Sequence, residues 1–579
     1  MKTLSYPEIL KLNNELGKSV KVKPYRISVI SNITIHQIKE IIECSLRIEN
    51  INAIVEIGDY DNIIQDSTKV ADSNAVIIFW ELCNIVEGLN YKIEQFEEDQ
   101  INEIAEKICL EIGLTLKNLE SSSLVIVNNF SSVIFPYLCK TQSNFDNLAN
   151  ILNKHLSNVA PKNVKLIDVN KVLCQIGIHK SIDLRYYFSS KALYTIDFFK
   201  EYSRFVKPLI MSANGKSKKA IIFDCDNTLW KGILGEDGFE NIDMSAHSKS
   251  GIIFHEIQSL ALALNKQGIL LGLCSKNNLS DIEEVIRNHP DMLIREEYIT
   301  IKKINWTDKA TNIRQIAKEL NIGLDSIVFV DDSPFEINLI KEQLPEVKVL
   351  QVPEKLYEYP QMLRSNLGLF YNLSLTKEDL VKSQIYKQQS KREELKSCFS
   401  NVEEYLSSLE LKIHVFEDDS SLIPRLAQMT QKTNQFNLTT QRYTETDIEI
   451  FVNSDTSKVF AWSVSDKFGD NGITGLCIIK LNDKNAEIDT FLMSCRIIGR
   501  NIEFSVMDFL IDHLNKIDID SITAKYLQTA KNAQVADFYK KCSFKILHEN
   551  EKESKFSLEL KNYKNKNINY IKLENGNKN

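Results

Sequence analysis

The chain has 579 residues, 43% of them hydrophobic, 26% charged and 9% aromatic, with 19 Gly and 11 Pro. That is globular composition at a length suited to about three substantial domains, and it excludes a collagenous, disordered or low-complexity chain. With 70 basic against 78 acidic residues the net charge is −8, which argues against non-specific binding to nucleic acid or to an anionic membrane.

The first residues alternate apolar and polar positions at helical spacing, without the apolar run of a signal peptide. No stretch approaches the ~18 consecutive apolar residues of a membrane span. The 11 cysteines form no Cys-x-x-Cys pair and no zinc-finger spacing with the nine histidines. These features predict a cytoplasmic protein with reduced thiols, no nucleic-acid partner and no membrane partner.

From 25 to 206, short apolar runs (25–30, 53–57, 75–80, 124–127 and 164–169) alternate with helical patterns such as 35–47 and 94–112. That alternation predicts a parallel sheet with helices on both faces. A polar, basic break at 212–219 marks the first boundary, so domain one is 1–211. A second α/β unit, 212–355, uses the runs 220–223, 269–273, 326–330 and 347–352. Residues 356–410 read as a helical connector. From 411 to 560 the strand-like runs 459–464, 473–480 and 486–493 follow one another across turn residues, as in an antiparallel meander. Helix 499–516, strand 521–526, helix 532–541 and a strand near 543–548 complete that domain, and 561–579 reads as a flexible tail. The fold class expected is therefore multidomain α/β with an α+β C-terminal domain.

The chemistry concentrates in the second unit. An apolar strand ends in Asp224-Cys-Asp-Asn-Thr228. In a parallel sheet the carboxyl ends of the strands face the ligand, and alternation turns Asp224 and Asp226 to one side. Adjacent carboxylates repel unless a cation joins them, and oxygen-only ligands suit Mg²⁺. A second strand ends at Ser275, a hydroxyl suited to a phosphoryl oxygen, with Asn277 just beyond. Lys309, heading a helical segment, supplies fixed positive charge. A third strand ends in Asp331 and Asp332, able to complete a metal site. The gaps between these elements leave no room for a separate cap domain.

This ordered set resembles the haloacid dehalogenase (HAD) superfamily. The stretches Trp230-Lys-Gly-Ile-Leu-Gly-Glu-Asp-Gly238, Val330-Asp-Asp-Ser-Pro-Phe-Glu336 and Met429-Thr-Gln-Lys-Thr-Asn-Gln-Phe-Asn-Leu-Thr-Thr440 are similar to its FkbH-like branch, subclass IIIC, over about 20–550. Lys231 departs from the Gly common there. The resemblance implies a Rossmann-like domain with Asp224 as nucleophile and Asp226 as acid-base. It places Mg²⁺ among Asp224, Asp226 (through its carbonyl), Asp331 and Asp332. Ser275, Lys309, Thr228 and Asn277 would face the phosphoryl group. It further implies removal of phosphate from a phosphorylated three-carbon acid, 1,3-bisphosphoglycerate, and transfer of the acyl group to the phosphopantetheine thiol of an acyl carrier protein in polyketide or related biosynthesis.

The 411–560 domain resembles a GNAT acyltransferase, carried by Ser494-Cys-Arg-Ile-Ile-Gly-Arg-Asn501 and by the stretch 532–544. Arg496, Gly499 and Arg500 would meet a pyrophosphate or phosphopantetheine phosphate, although Asn501 departs from the pattern's last position. Cys495, or less favourably Cys225, is the candidate acyl carrier. The first domain resembles the flavodoxin-like SGNH-hydrolase domain, with its catalytic set incomplete: Ser31-Asn32 ends the first strand, and Tyr186 follows Asp183 where a His is expected, leaving a non-catalytic role. Two alternatives remain open: a phosphatase acting on a small metabolite or glycan precursor, and a non-catalytic assembly-line adaptor.

Overall fold

Runs of consecutive apolar residues become strands buried on both faces, because helices cover each side of a parallel sheet. The computed structural model describes residues 3–373, 388, 392, 399, 401–529 and 531–575. The chain divides into two compact units, Met1–Asn214 with Tyr443–Glu449, and Gly215–Arg442 with Ile450–Asn579. Among the described residues no helix is long and apolar enough to cross a membrane.

The first unit holds a parallel sheet of β1 (Tyr25–Ser31), β2 (Ala53–Tyr60), β3 (Ala75–Phe79), β4 (Val125–Asn128) and β5 (Val164–Ile167). Its order is β2-β1-β3-β4-β5. Helix Ile196–Ala213 lays Phe198 and Tyr202 against Phe79, with ring centroids 6.1 and 5.2 Å away.

The second unit carries two sheets. The parallel one comprises β6 (Ala220–Phe223), β7 (Leu270–Ser275), β8 (Ile299–Ile304), β9 (Ile327–Asp331) and β10 (Lys348–Gln351), ordered β10-β9-β6-β7-β8. Gly272 in β7 is required by close packing, since a Cβ there would stand 2.6 Å from Ile222 and 2.9 Å from Ile301 on the two flanking strands. The other sheet is mainly antiparallel, built from β11 (Leu411–Glu417), β12 (Phe436–Asn437), β13 (Ser457–Asp466), β14 (Gly469–Asn482), β15 (Asn485–Met493), β16 (Ser521–Leu527), β17 (Lys545–Glu549), β18 (Glu553–Glu559) and β19 (Ile571–Asn575).

Several expectations change. Residues 359–370 do not connect domains: Tyr359, Leu363 and Phe370 are buried in the core around β6 and β7, because the helix Tyr359–Asn366 is amphipathic and packs on helix Gly251–Lys266. Most of the remaining connector lies outside the described residues. The tail is also ordered in part. Asp508 accepts hydrogen bonds from Tyr563 Oη and from the backbone N–H groups of Lys566 and Asn567, and β19 then pairs in parallel with β11. The helix expected over 532–541 is a 3₁₀ turn, Ala533–Val535, and a short helix, Phe538–Lys541. The buried Asn532 side chain is drawn instead to the carbonyls of Asn437 and Leu527.

Candidate active site

Strands β6, β7 and β8 run outward in chain order, and β9 then returns to the far side of β6. The crevice at this reversal, beyond the carboxyl ends of the strands, is where open α/β sheets bind ligands. The Asp224 backbone N–H donates to the Val330 carbonyl at 2.9 Å, so the chain leaves β6 directly beside the end of β9.

Asp224, Asp331 and Asp332 converge there, each offering a carboxylate oxygen within 4.8 Å of the others. Asp224 is 5% exposed and Asp331 fully buried. Burial pushes the Asp224 carboxyl up to about 6, with Lys309 opposing the shift and Asp331 adding to it. Burial also raises Asp331 and Asp332.

Lys309 Nζ lies 2.9 Å from Asp224 Oδ1 and 2.7 Å from Asp331 Oδ2. Burial works against its charge, but the two carboxylates outweigh burial and hold the ammonium above its ordinary value. The Asp308 side chain fixes Lys309 at the helix start by accepting from Thr311 N. Ser333 plays the matching part for Asp331, donating its backbone N–H to Oδ1 while capping helix Pro334–Gln343.

Asp226 stands outside this trio. Its Oδ1 accepts from Trp230 Nε1 and Leu234 N, both at 3.0 Å, and its Oδ2 accepts from Asn277 Nδ2 at 2.8 Å. Asn277 also donates to Ser275 Oγ at 3.2 Å, linking the ends of β6 and β7. The loop turns back at Asn227, whose φ of 50° is left-handed and whose side chain accepts from Gly232 N. Thr228 Oγ1 is buried with no hydrogen-bond partner among the described residues. Tyr359 Oη donates to the Thr228 carbonyl at 3.1 Å. Neither Trp230 as a partner of Asp226 nor Tyr359 was legible beforehand. Trp230 sits inside a motif quoted for another reason, while Tyr359 lies far downstream in no motif.

The donor set fits a hard divalent cation. Three carboxylates face one ammonium. Asp224 Oδ1, although buried beside Lys309, accepts no well-directed hydrogen bond among the described residues. An all-oxygen set with excess negative charge suits Mg²⁺.

The other sequence candidates lie elsewhere. Cys495, Arg496, Gly499 and Arg500 occupy the loop between β15 and helix Ile502–Lys516. Asn321 donates a hydrogen bond to the Cys495 carbonyl. Lys219 and Ser326, which precede β6 and β9 at the amino end of the sheet, line one cavity with Cys495. Lys219 and Asp224 flank β6, and the rise of an extended strand puts that cavity ~17 Å from the carboxylates.

Arg500 is committed internally, pairing with Asp466 at 3.1 Å and donating to the Arg496 carbonyl at 2.7 Å. Gly499 takes a left-handed φ of 81° that relieves the turn into the helix. Cys225 is fully buried, and burial pushes its thiol well above the ordinary range, which disfavours the thiolate needed for acyl transfer.

No family model matches the chain, and no curated protein matches it. Among solved structures, the chain is similar to the N-terminal part of the protein BF1531 from Bacteroides fragilis, which contains a phosphatase domain complexed with Mg. The identity is 27% over 64% of this chain and 100% of that chain, with a TM-score of 0.56. Two acetyltransferases also align. The ribosomal-protein-S18-alanine N-acetyltransferase of Escherichia coli is 12% identical over 26% of this chain and 94% of that one, with a TM-score of 0.21. An N-acetyltransferase of Staphylococcus aureus is 16% identical over 26% of this chain and 99% of that one, again at 0.21. Scores of that size carry no argument about this chain.

Proposed function

We propose that the chain is a Mg²⁺-dependent, HAD-type phosphoryl-removing enzyme that prepares a phosphorylated three-carbon acid, 1,3-bisphosphoglycerate or a close analogue, for loading onto the thiol of an acyl carrier protein. The observation that carries the phosphoryl chemistry is the convergence of Asp224, Asp331, Asp332 and Lys309 at the strand-order reversal. The likeness to a phosphatase domain complexed with Mg supports it. Mg²⁺ held by Asp224, Asp331 and Asp332, with the Asp226 carbonyl, would offset negative charge on the transferring group.

Asp224 attacks phosphorus, forming a P–O bond while the P–O bond to the leaving oxygen breaks. Asp226, oriented by Trp230, Leu234 N and Asn277, gives a proton to that oxygen and takes one from the water that hydrolyses the aspartyl-phosphate. Ser275, Thr228 and Lys309 donate to the phosphoryl oxygens. Because hydrolysis of an acyl phosphate would discard its activation, the phosphoryl removed at Asp224 is the ester phosphate. The acyl phosphate is left to the carrier thiol: sulfur attacks the carbonyl carbon, the C–O bond to the phosphate breaks, and inorganic phosphate leaves carrying the thiol proton.

A second reading, a phosphatase whose C-terminal sheet has no acyl-transfer role, is favoured by one feature of that sheet. Strands β15 and β16 pair only over Asn485–Ile488 and Ser521–Ala524. Beyond that point Phe436 and Asn437 pair with Met493 and Leu492, Leu438 N donates to Phe491 O, and Leu527 N donates to Leu438 O. The gap between the two strands is thus filled by the chain's own backbone. The experiment is incubation with Mg²⁺, 1,3-bisphosphoglycerate and a holo acyl carrier protein, followed by intact mass of the carrier. A glyceryl thioester on the carrier supports the first reading, phosphate release without an adduct supports the second, and neither product overturns both.

A further inference from the structure

The first unit carries an apolar patch at the carboxyl end of its sheet. Leu138 is 90% exposed, Phe188 72%, Tyr60 52%, Tyr137 43% and Leu184 40%. These side chains border one aromatic cluster. Phe135 lies 5.9 Å from Tyr187 between ring centroids, and Tyr187 lies 5.5 Å from Phe188. Tyr187 Oη donates to the Cys83 carbonyl at 3.4 Å, and the neighbouring Asn84 donates to Tyr60 Oη at 3.1 Å. The loop carrying Tyr137 and Leu138, the helix Leu184–Ser190 and the end of β2 therefore meet around the buried Tyr187.

A fully exposed side chain of this size offers ~200 Å², so the five expose on the order of 600 Å², the upper end of what a monomer leaves to water. An interface about two-thirds apolar built on them covers roughly 900 Å² of each copy, the scale of a stable dimer. The charges at its border come in opposite signs. Arg185 pairs with Asp183 at 2.7 Å and Lys140 with Glu94 at 3.6 Å. Asp61 follows Tyr60, and Lys191 stands over the Tyr187 ring at 5.1 Å, one further charge of each sign. Such a border raises no like-charge repulsion when the face meets itself, as an isologous contact requires. A partner of marked charge would be matched instead by a border of one sign.

We infer that this face is a two-fold interface between two copies of the chain, with Leu138 and Phe188 at its apolar centre. It lies within the first unit and is independent of the phosphoryl chemistry read from Asp224. Cys139, an exposed thiol next to Leu138, comes under the same contact and reports it.

Sedimentation equilibrium of the full chain should return twice its 66.5 kDa. Leu138→Asp and Phe188→Glu should each raise the dimer Kd at least ~100-fold. Both side chains face water, so circular dichroism should not change. Leu110→Asp, at another exposed leucine on helix Glu98–Asn118, should leave the dimer intact. A second readout needs no variant. Where about four-fifths of the native chains are paired, iodoacetamide should alkylate Cys139 about fivefold more slowly than at high dilution, as peptide mass spectrometry reads it. The inference is overturned by a chain that stays monomeric at ~50 μM, far above the micromolar Kd at the weak limit for interfaces of this size. A different partner for this face would give that result. It is equally overturned by a dimer that both patch variants leave intact, by one that Leu110→Asp breaks as readily, or by Cys139 alkylation that does not depend on chain concentration.

Discussion

The two five-stranded parallel sheets each reverse their strand order once, between β1 and β3 in the first and between β6 and β9 in the second. At the first reversal the polar groups are bonded to one another. Asn32 Nδ2 donates to the Glu81 carbonyl, Glu81 N donates back to Asn32 Oδ1, and Tyr194 Oη donates to Glu81 Oε2 at 2.6 Å. Tyr202 closes on Asn128 at 2.7 Å, and Ser31 Oγ donates to the Phe79 carbonyl. Asp183, the other residue weighed for a hydrolase, caps helix Leu184–Ser190 and pairs with Arg185. At the second reversal three carboxylates face one ammonium. The architecture of the crevice is shared. What separates a locked core from a candidate active site is whether its side chains are tied to one another by hydrogen bonds or gather carboxylates in excess of the cations that face them.

The comparison breaks first at Asp224. Asp224→Asn should lower Mg²⁺-dependent phosphate release at least ~10³-fold, a barrier rise of ~4 kcal/mol, with the fold retained. Unchanged turnover would place the chemistry elsewhere.

The locked crevice is sharpened by pH. Burial, opposed by Tyr194 and by the backbone N–H groups of Cys83 and Leu82, pushes the Glu81 carboxyl up to about 7 from its ordinary 4.5. The folded chain therefore holds this proton more tightly than the unfolded one. The resulting stability is complete below pH 4.5 and is lost as pH rises through 7, on the order of 3 kcal/mol. Hydrogen-exchange protection of β3 should fall across that window, and Glu81→Gln should flatten the slope. An equal slope in the variant would assign it to another group.

The smallest effect tests positioning. Asn277→Ala removes the donor to Asp226 Oδ2, and kcat should fall about tenfold with KM little changed. The acid limb of the pH–rate profile should also shift, which a loss of packing alone would not produce.

The buried strands of both parallel sheets were legible because a strand covered on both faces needs an unbroken apolar run, as in 75–79 and 220–223. β8 was missed: Ile299–Ile304 carries two lysines, each held by glutamates. β19 was missed because an edge strand buries little and reads as polar. At the candidate site, the residues at the strand ends were legible from position alone. Their supports were not, because Trp230, Tyr359 and Asn277 act through contacts whose partners lie 4, 131 and 51 residues away.

By itself, the sequence determined where carboxylates, hydroxyl and lysine fall relative to strand ends, since the alternation of a strand and the direction of a parallel sheet fix which end a motif occupies. Only the tertiary structure decided that Cys495 and Arg496 lie at the other end of the central sheet from Asp224. It also decided that Arg500 is committed to Asp466, while Nε and Nη2 of Arg496 meet no acceptor among the described residues. Those outcomes depend on how a second sheet packs against the first, and no local pattern of residues encodes the counter-charge a buried guanidinium will meet.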